Sequence, residues 1–103
     1  MSKTIISKCG RFEWEEDKYE LNIMKHKIRF EDVFHIFDDY FVWEVFDGSH
    51  SKFEDRYKIY GFHGNSAVVC VCHTDRSGRT RIISAYKVDR QEKEKFYEYI
   101  KKL

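Results

Sequence analysis

The sequence predicts an α+β domain with two N-terminal helices, a mainly antiparallel sheet of about four strands, and a C-terminal helix. Three observations predict this fold class: amphipathic charged segments near both ends, four β-rich runs between residues 41 and 86, and short turns between those runs. With 103 residues, of which 42% are hydrophobic and 17% aromatic, the chain suits one globular domain over residues 1–103. No linker-like stretch divides it.

Two helices are predicted before the strands, over residues 15–27 and 30–39. At about 100° per residue, the first helix places Glu16 and Glu20 on a solvent face. A second polar stripe lies almost opposite and comprises Lys18, Asn22, Lys25 and His26. Polar side chains in that position predict a groove that the helix helps to wall. For Asn22, hydrogen bonding to backbone groups is the simpler interpretation.

Four runs with β character follow: "FVWEVF" (41–46), "RYKIYGF" (56–62), "AVVCVCH" (67–73) and "TRIISAY" (80–86). The intervening "DGSH", "HGNS" and "DRSG" have the composition of tight connections, which predicts antiparallel neighbours. The third run is apolar on both faces and therefore suits a central strand. A last helix is predicted from Asp89, because Asp89 to Glu92 form a capping box.

Residues 79–87, "RTRIISAYK", combine the pattern of a buried strand with basic side chains. Strict alternation places Arg79, Arg81, Ile83, Ala85 and Lys87 on one face. In the run at 56–62, Arg56, Lys58 and Tyr60 likewise share a face. The two strands together predict a basic patch.

The charge of the chain is unevenly distributed, although the net charge is only +1. Residues 11–55 hold 6 Lys and Arg against 13 Asp and Glu, whereas residues 56–103 hold 11 against 5. An electropositive second half suits an anionic partner such as nucleic acid. Mutual neutralisation of the two halves explains the same counts, so charge alone leaves both explanations open.

Three cysteines and the lack of any long apolar segment predict a cytoplasmic protein without a bound metal. A metal pair at Cys70 and Cys72, completed by His63 or His73, would require C-x2-C spacing and a second ligand pair. Small buried thiols are the simpler interpretation. No apolar run approaches the roughly 20 residues that span a bilayer, and "MSKTIISKCG" has too short an apolar stretch for a secretory signal.

Four ordered blocks resemble the BrnT family of type II toxin–antitoxin toxins: "FEWEEDKYELNIMKHKIRFEDVFHIFDD", "EDRYKIYG", "CHTDR" and "RIISAYK". The similarity covers residues 12 to about 99. It implies a RelE-like α+β endoribonuclease that cleaves RNA, inhibits translation and arrests growth. It also implies neutralisation by a BrnA-like antitoxin, through which alone the chain would contact DNA. No membrane association is implied.

Three positions depart from the family pattern. Lys27 replaces a glycine, so it must adopt a left-handed C-cap conformation or the helix must end differently. Arg29 replaces the Ser or Thr that caps the second helix. Tyr86 replaces the final arginine, which favours an alternative function: a weakly active or inactive RNA- or partner-binding module that acts mainly in a toxin–antitoxin repressor complex.

Roles for single residues follow from the resemblance and from what metal-free RNA cleavage requires. Arg56 and Arg81 are expected to bind the scissile phosphate, and Lys18 adds charge from the first helix. His26 is the preferred base or acid, with Glu54 as the competing base. The expected RNA contacts are Trp14 and Tyr86 by stacking, with Lys25, Lys58 and Arg79 by charge.

Two simpler interpretations stay open beside these roles. Arg56 and Glu54 are close enough in sequence to pair with each other, and Trp14 suits a core anchor. No carboxylate cluster of the two-metal type is evident, so neither a metal nor another cofactor is expected.

Overall fold

A six-stranded mixed sheet forms the centre of the fold in the computed structural model, which describes residues 2–103. Its strands are β1 (Thr4–Ile6), β2 (Phe12–Glu15), β3 (Trp43–Phe46), β4 (Arg56–His63), β5 (Ala67–Arg76) and β6 (Arg79–Lys87). Their order in space is β1-β2-β6-β5-β4-β3. The helices are α1 (Glu16–His26) and α2 (Arg90–Ile100), with 3-10 helices at Phe30–Asp38 and Gly48–His50.

The predicted arrangement of about four strands behind two N-terminal helices is wrong, although the α+β class agrees with the structure. The four predicted runs form β3 to β6, which are antiparallel neighbours. A hairpin of β1 and β2 precedes α1 and extends the sheet. Pattern analysis does not detect this hairpin, because β1 has only three residues and β2 continues into α1 without a turn between them.

β2 enters the sheet by parallel pairing with β6, and the pairs are Phe12 with Thr80, Glu13 with Arg81 and Trp14 with Ile82. The pairing ends at Trp14, and the chain turns into α1 at Glu16. The helix therefore lies along the part of β6 that β2 leaves unpaired. This position makes α1 one wall of a groove at the edge of β6.

The second predicted helix is a 3-10 helix rather than an α-helix. Its buried residues Phe30, Val33 and Ile36 recur every three residues, which is the 3-10 period. Arg29 at its N-cap makes no side-chain cap hydrogen bond, in agreement with the missing Ser or Thr.

Two apolar clusters lie on opposite faces of the sheet. The first packs α1 and the long 3-10 helix on the sheet and includes Phe12, Trp14, Phe30, Val71, Ile82 and Ala85. The second lies beneath α2 and includes Tyr60, Val68, Cys70 and Phe96. Beside α2 the second face stays partly exposed at Arg56, Lys58 and Ser84.

Two helix ends follow the sequence analysis: of the two outcomes open at Lys27 the structure has the left-handed C-cap, and the N-cap predicted at Asp89 is present. Lys27 has φ 59° and ψ 30°, the left-handed conformation, and its N–H donates to the Ile23 carbonyl. The Asp89 carboxylate accepts a hydrogen bond from the Glu92 N–H at 2.8 Å.

A β-bulge in β6 changes which side chains share a face. The register shifts between residues 72 and 73 of β5, and Ile83 is left without a partner there. Beyond the bulge, Ala85 turns into the first core cluster, and Tyr86 joins the face of Arg81. The alternation predicted for residues 79–87 is therefore wrong after this point.

Candidate functional site

A groove runs between α1 and the sheet, and its two ends are cavities of about 190 Å³ each. Both cavities contact Ile83 and Ser84, so they meet at the bulge of β6. We call this surface the α1–β6 groove. It brings together six of the ten predicted site residues: Lys18, Lys25 and His26 from α1, Arg56 and Lys58 from β4, and Tyr86 from β6.

Asn22 fixes the α1 wall of the groove. Its Nδ2 donates to the carbonyls of Ile28 and Ala85 at 3.0 and 2.9 Å, and its Oδ1 accepts from the Ala85 N–H at 2.9 Å. Asn22 thereby provides hydrogen-bond partners for the N–H and the carbonyl of Ala85, in the part of β6 that β2 no longer pairs with. The backbone-bonding interpretation of Asn22 is confirmed, and the predicted polar groove is present beside it.

The sheet wall is formed by Arg56, Lys58 and Tyr86. Cross-strand register places Lys58, Cys72 and Ser84 in one row. The Tyr86 ring lies 5.9 Å from the His26 ring, measured between centroids, so it connects the two walls. Burial raises the pKa of Tyr86 well above its ordinary range, and its phenol therefore stays protonated at neutral pH.

Glu54 lies beside the groove and holds two arginines. Its carboxylate is 2.8 Å from the Arg76 guanidinium and 3.4 Å from that of Arg56. The hydrogen bond from Arg76, followed by the charges and contact of the two arginines, lowers the pKa of Glu54 against the opposing effect of burial. The pairing of Arg56 with Glu54 is thus present, and it makes Glu54 a weaker base than a free carboxylate.

Arg81 and Arg79 face the same side of the sheet but are held by the N-terminal segment. Arg81 forms an ion pair with Glu13 on β2, and the two side chains are only 14% and 7% exposed. Arg79 Nε donates to the Gly10 carbonyl at 3.1 Å. Parallel pairing of β2 with β6 places the Glu13 carboxylate next to the Arg81 guanidinium. This ion pair explains why a charged side chain is tolerated on β6 near Ile83. Neither arginine lines the two cavities.

Trp14 belongs to the core and not to the groove. It is 4% exposed, stacks on Tyr19 at 5.4 Å and meets Phe30 edge-on at 5.8 Å, measured between ring centroids. No face of the indole is free to stack on a base. The prediction of an RNA contact for Trp14 is therefore wrong, and the core-anchor interpretation is correct.

Four further groove residues escape sequence-based prediction: Asp47, His50, Cys72 and Ser84. Pattern analysis assigns "DGSH" only to a turn, yet this turn carries an acid and an imidazole three residues apart. The three-residue spacing of Asp47 and His50 is the sequence signal that could have identified these two groove residues. Cys72 enters the groove because it stands on the same face as Lys58, and a hydrogen bond from Cys70 lowers the pKa of its thiol.

The cysteines do not combine with a histidine in the way a metal site would require. All three are free, and Cys9 is exposed rather than buried. His73 is buried between Phe37 and Tyr57 on the face opposite Cys72. Over residues 2–103, no three His, Cys, Asp or Glu side chains cluster as metal ligands do. Among the helices of that same range, none has the length and apolar character to cross a membrane.

The fold and groove define a small α+β protein with a cationic cleft suited to a polyanion. A sequence model of the family described as "Ribonuclease toxin, BrnT, of type II toxin-antitoxin system" matches residues 14–92. The chain belongs to this family of ribonuclease toxins, which confirms the resemblance found in the sequence. Membership in a type II system implies an antitoxin partner.

A solved structure supports the fold. The crystal structure of the Brucella abortus ribonuclease toxin BrnT is similar with a TM-score of 0.57, and it covers 75% of this chain and 94% of that chain. The two sequences are 23% identical, so the likeness concerns the fold alone. A comparison with curated proteins found no match.

Proposed function

We propose that this chain is an endoribonuclease that binds single-stranded RNA in the α1–β6 groove and cleaves it without a metal ion. The observation that carries the proposal is the convergence of basic and imidazole side chains from both walls: Lys18, Lys25, His26, Arg56 and Lys58. Clustered cations of this kind attract a phosphate backbone, and family membership favours RNA as the polyanion.

RNA supplies its own nucleophile, the ribose 2′-hydroxyl. Its oxygen attacks the adjacent phosphorus, the bond from phosphorus to the 5′-oxygen breaks, and a 2′,3′-cyclic phosphate and a 5′-hydroxyl result. The protein has three tasks: to take the 2′-proton, to stabilise the negative charge on the phosphoryl oxygens, and to protonate the leaving oxygen.

Arg56 is the proposed principal ligand of the phosphate. A guanidinium has five N–H donors, and the contact with Glu54 uses one of them. Arg81 stands in the same register row, with Thr74 between the two arginines. We propose that it adds positive potential from its ion pair with Glu13 rather than by an open contact.

The remaining groove residues extend the proposed path of the RNA. Lys18 and Lys25 carry positive charge along α1, and Tyr86, which is only partly buried, offers a ring on which an unpaired base can stack. Arg79 adds positive charge at the first residue of β6, before the bulge. His26 stays the proton-transfer candidate on the α1 side.

We further propose that a BrnA-like antitoxin neutralises the chain by covering this groove, and that the antitoxin makes any contact with DNA. An inert complex requires that the cations be masked, and an acidic segment complements them. Released from that partner in the cytoplasm, the chain would inhibit translation and growth by destroying RNA.

The test is cleavage of a fluorescently labelled single-stranded RNA of mixed sequence by the purified chain. Cleavage should persist in excess EDTA, and Arg56→Ala should lower kcat/KM by about tenfold or more. Arg90→Ala is the matched control, because this side chain is 92% exposed on α2, outside the groove. Loss of activity in EDTA with recovery on added Mg²⁺, or an Arg56→Ala variant as active as wild type, would contradict the proposal.

A second function is favoured by a specific observation: Glu13 and Glu54 partly neutralise Arg81 and Arg56. Because these ion pairs reduce the positive charge available to a phosphate, we expect a protein that binds RNA or its antitoxin with little turnover. Such a protein would act mainly in a repressor complex with its antitoxin. Retention of labelled RNA in a gel-shift experiment without product formation would support this function over cleavage.

A further inference from the structure

Asp47 and His50, in the loop between β3 and β4, form an acid–imidazole pair at the sheet end of the groove. Asp47 Oδ2 lies 2.9 Å from His50 Nδ1, and Ser49 Oγ donates to Asp47 Oδ1 at 2.9 Å. The Asp47 side chain is 12% exposed, whereas that of His50 is 64% exposed. A half-buried carboxylate thus holds an imidazole that is open to the groove.

The pair fixes the tautomer of His50. Burial by itself raises the pKa of Asp47, but hydrogen bonds from Ser49 and His50, with the charges of His50 and Lys58, bring it below its usual range. An ionised carboxylate only accepts hydrogen bonds, so Nδ1 of a neutral His50 carries the proton and Nε2 presents a lone pair. In general acid–base catalysis, a carboxylate orients a histidine base in this manner.

The loop that carries the pair is tied to β4. The Asp47 N–H donates to the Arg56 carbonyl at 2.8 Å, and Ser51 Oγ accepts from the Arg56 N–H at 2.9 Å. Ser51 Oγ also donates to the Asp47 carbonyl. These bonds hold His50 in a defined position beside Arg56, the proposed phosphate ligand.

We infer that His50 is the base that takes the 2′-hydroxyl proton, with Asp47 as its positioning residue and Lys58 as the proton donor to the leaving oxygen. The inference rests on the proposed ribonuclease function. His50 Nε2 accepts the proton, the 2′-oxygen bonds to phosphorus, the bond to the 5′-oxygen breaks, and that oxygen takes a proton from the Lys58 ammonium. Exchange with water then removes the proton from the imidazolium and restores it to the amine.

Lys58 is placed for this role by the sheet. It pairs in register with Val45 on β3 and with Cys72 on β5, and it lines the same cavity as His50. Asp47, His50 and Lys58 all line this cavity, and the charge of Lys58 helps to lower the pKa of the Asp47 carboxyl. The proposed base His50 and the proposed acid Lys58 thus lie on the sheet wall of the groove, next to the Arg56 guanidinium.

The other histidines of residues 2–103 lack this arrangement. His26 has no carboxylate hydrogen-bond partner in the structure of this range and lies on the α1 wall. His35 contacts the Phe62 carbonyl at 3.1 Å, and His63 Nδ1 is buried without a hydrogen-bond partner. His73 has Glu44 at 3.5 Å, but it is buried on the face of the sheet opposite the groove. His50 is therefore the histidine that a carboxylate orients toward the groove.

The groups that face His50 come from four elements. Asp47 lies in its own loop, Arg56 and Lys58 on β4, Cys72 on β5 and Tyr86 on β6. Burial raises the pKa of the Tyr86 phenol, which therefore stays protonated at neutral pH. Cys72 is the group that competes with His50 as the source of a pH dependence, because the hydrogen bond from Cys70 lowers its pKa.

The first test measures kcat/KM for RNA cleavage against pH in wild type and in single variants. His50→Gln should lose about 100-fold or more together with the acid limb of the profile, and added imidazole should restore part of the rate of His50→Ala. Asp47→Asn should reduce the rate less. His35→Gln, a histidine outside the groove, should keep both rate and profile, and unfolding midpoints should show that each variant is folded.

A second substrate separates the base from the acid. In uridine 3′-(4-nitrophenyl phosphate), the leaving phenolate needs no proton. Lys58→Ala weakens phosphate binding to both substrates, but its loss of rate should be at least about tenfold greater on RNA than on this ester. His50→Gln should be impaired on both substrates.

Three results would overturn the inference while leaving the ribonuclease function intact. One is a wild-type rate and acid limb in His50→Gln. Another is an acid limb that persists in His50→Gln but disappears in His26→Gln or Cys72→Ser. The third is an equal loss for Lys58→Ala on both substrates, which removes the assigned donor. No cleavage by the wild-type chain would instead refute the proposed function itself.

Discussion

Replacing Asn22 with alanine is expected to lower the free energy of unfolding by about 4 to 6 kcal/mol. Asn22 is 3% exposed and makes three hydrogen bonds to the backbone of Ile28 and Ala85. Each bond contributes about 1 kcal/mol net, and an orphaned buried amide such as the Ala85 N–H costs about 1 to 3 kcal/mol more. The expected loss is large because the Asn22 side chain bonds the backbone of Ala85, which lies beyond the part of β6 that pairs with β2.

Urea unfolding followed by circular dichroism measures this loss as a shift of the midpoint at constant slope. Asn22→Leu has the same number and branching of side-chain heavy atoms and leaves no cavity, so a loss in that variant cannot be assigned to a cavity. The matched control is Asn65→Ala, because Asn65 is exposed in the turn between β4 and β5. An Asn22→Ala variant within about 1 kcal/mol of wild type would refute the reasoning.

Two other predictions concern stability. Gly61→Ala should cost about 1 to 3 kcal/mol, because the added Cβ would lie 2.7 Å from Ile36 Cγ2 in the core. Gly48→Ala, with its nearest atom at 3.6 Å, should be close to neutral in the same urea experiment, and equal effects would contradict the packing argument. The lowered pKa of Glu54 means that folding favours its ionised form, so its contribution is present above the ordinary value of 4.5 and is lost as the pH falls through the folded-state pKa. Acid titrations should therefore show a steeper loss of stability below about pH 5 for wild type than for Glu54→Gln, and parallel curves would disprove the linkage.

The part of the fold that follows from local pattern could be predicted from the sequence. Alternation and turn composition identify β3 to β6, and the capping box identifies the start of α2 at Asp89. The N-terminal hairpin could not be identified, because "TII" has only three residues and "FEWE" continues into α1 without a turn. Its pairing with β6 joins residues 68 apart in sequence, such as Glu13 and Arg81, and no local signal encodes it.

The groove residues likewise fall into those that a local sequence pattern predicts and those that it does not. Lys18, Lys25 and His26 were predictable as a stripe of one helix, and Arg56 and Lys58 as one face of a strand. Tyr86 reaches that face only because the bulge at Ile83 shifts the alternation, and a bulge has no reliable sequence signal. Trp14 was misplaced because an indole suits both a core and a base-stacking surface, and only burial distinguishes the two.

The parallel pairing of β2 with β6 has a consequence for the order in which the protein acquires its fold during synthesis. β2 leaves the ribosome early, but Thr80, the β6 partner of Phe12, follows 68 residues later. Until β6 emerges, Phe12 and Trp14 lack the strand against which they pack, and α1 lacks the Ala85 backbone that Asn22 binds. Contacts of such sequence separation form late and slowly, since the loop between them must close first. The groove therefore cannot assemble on a nascent chain before residue 87 has left the ribosome.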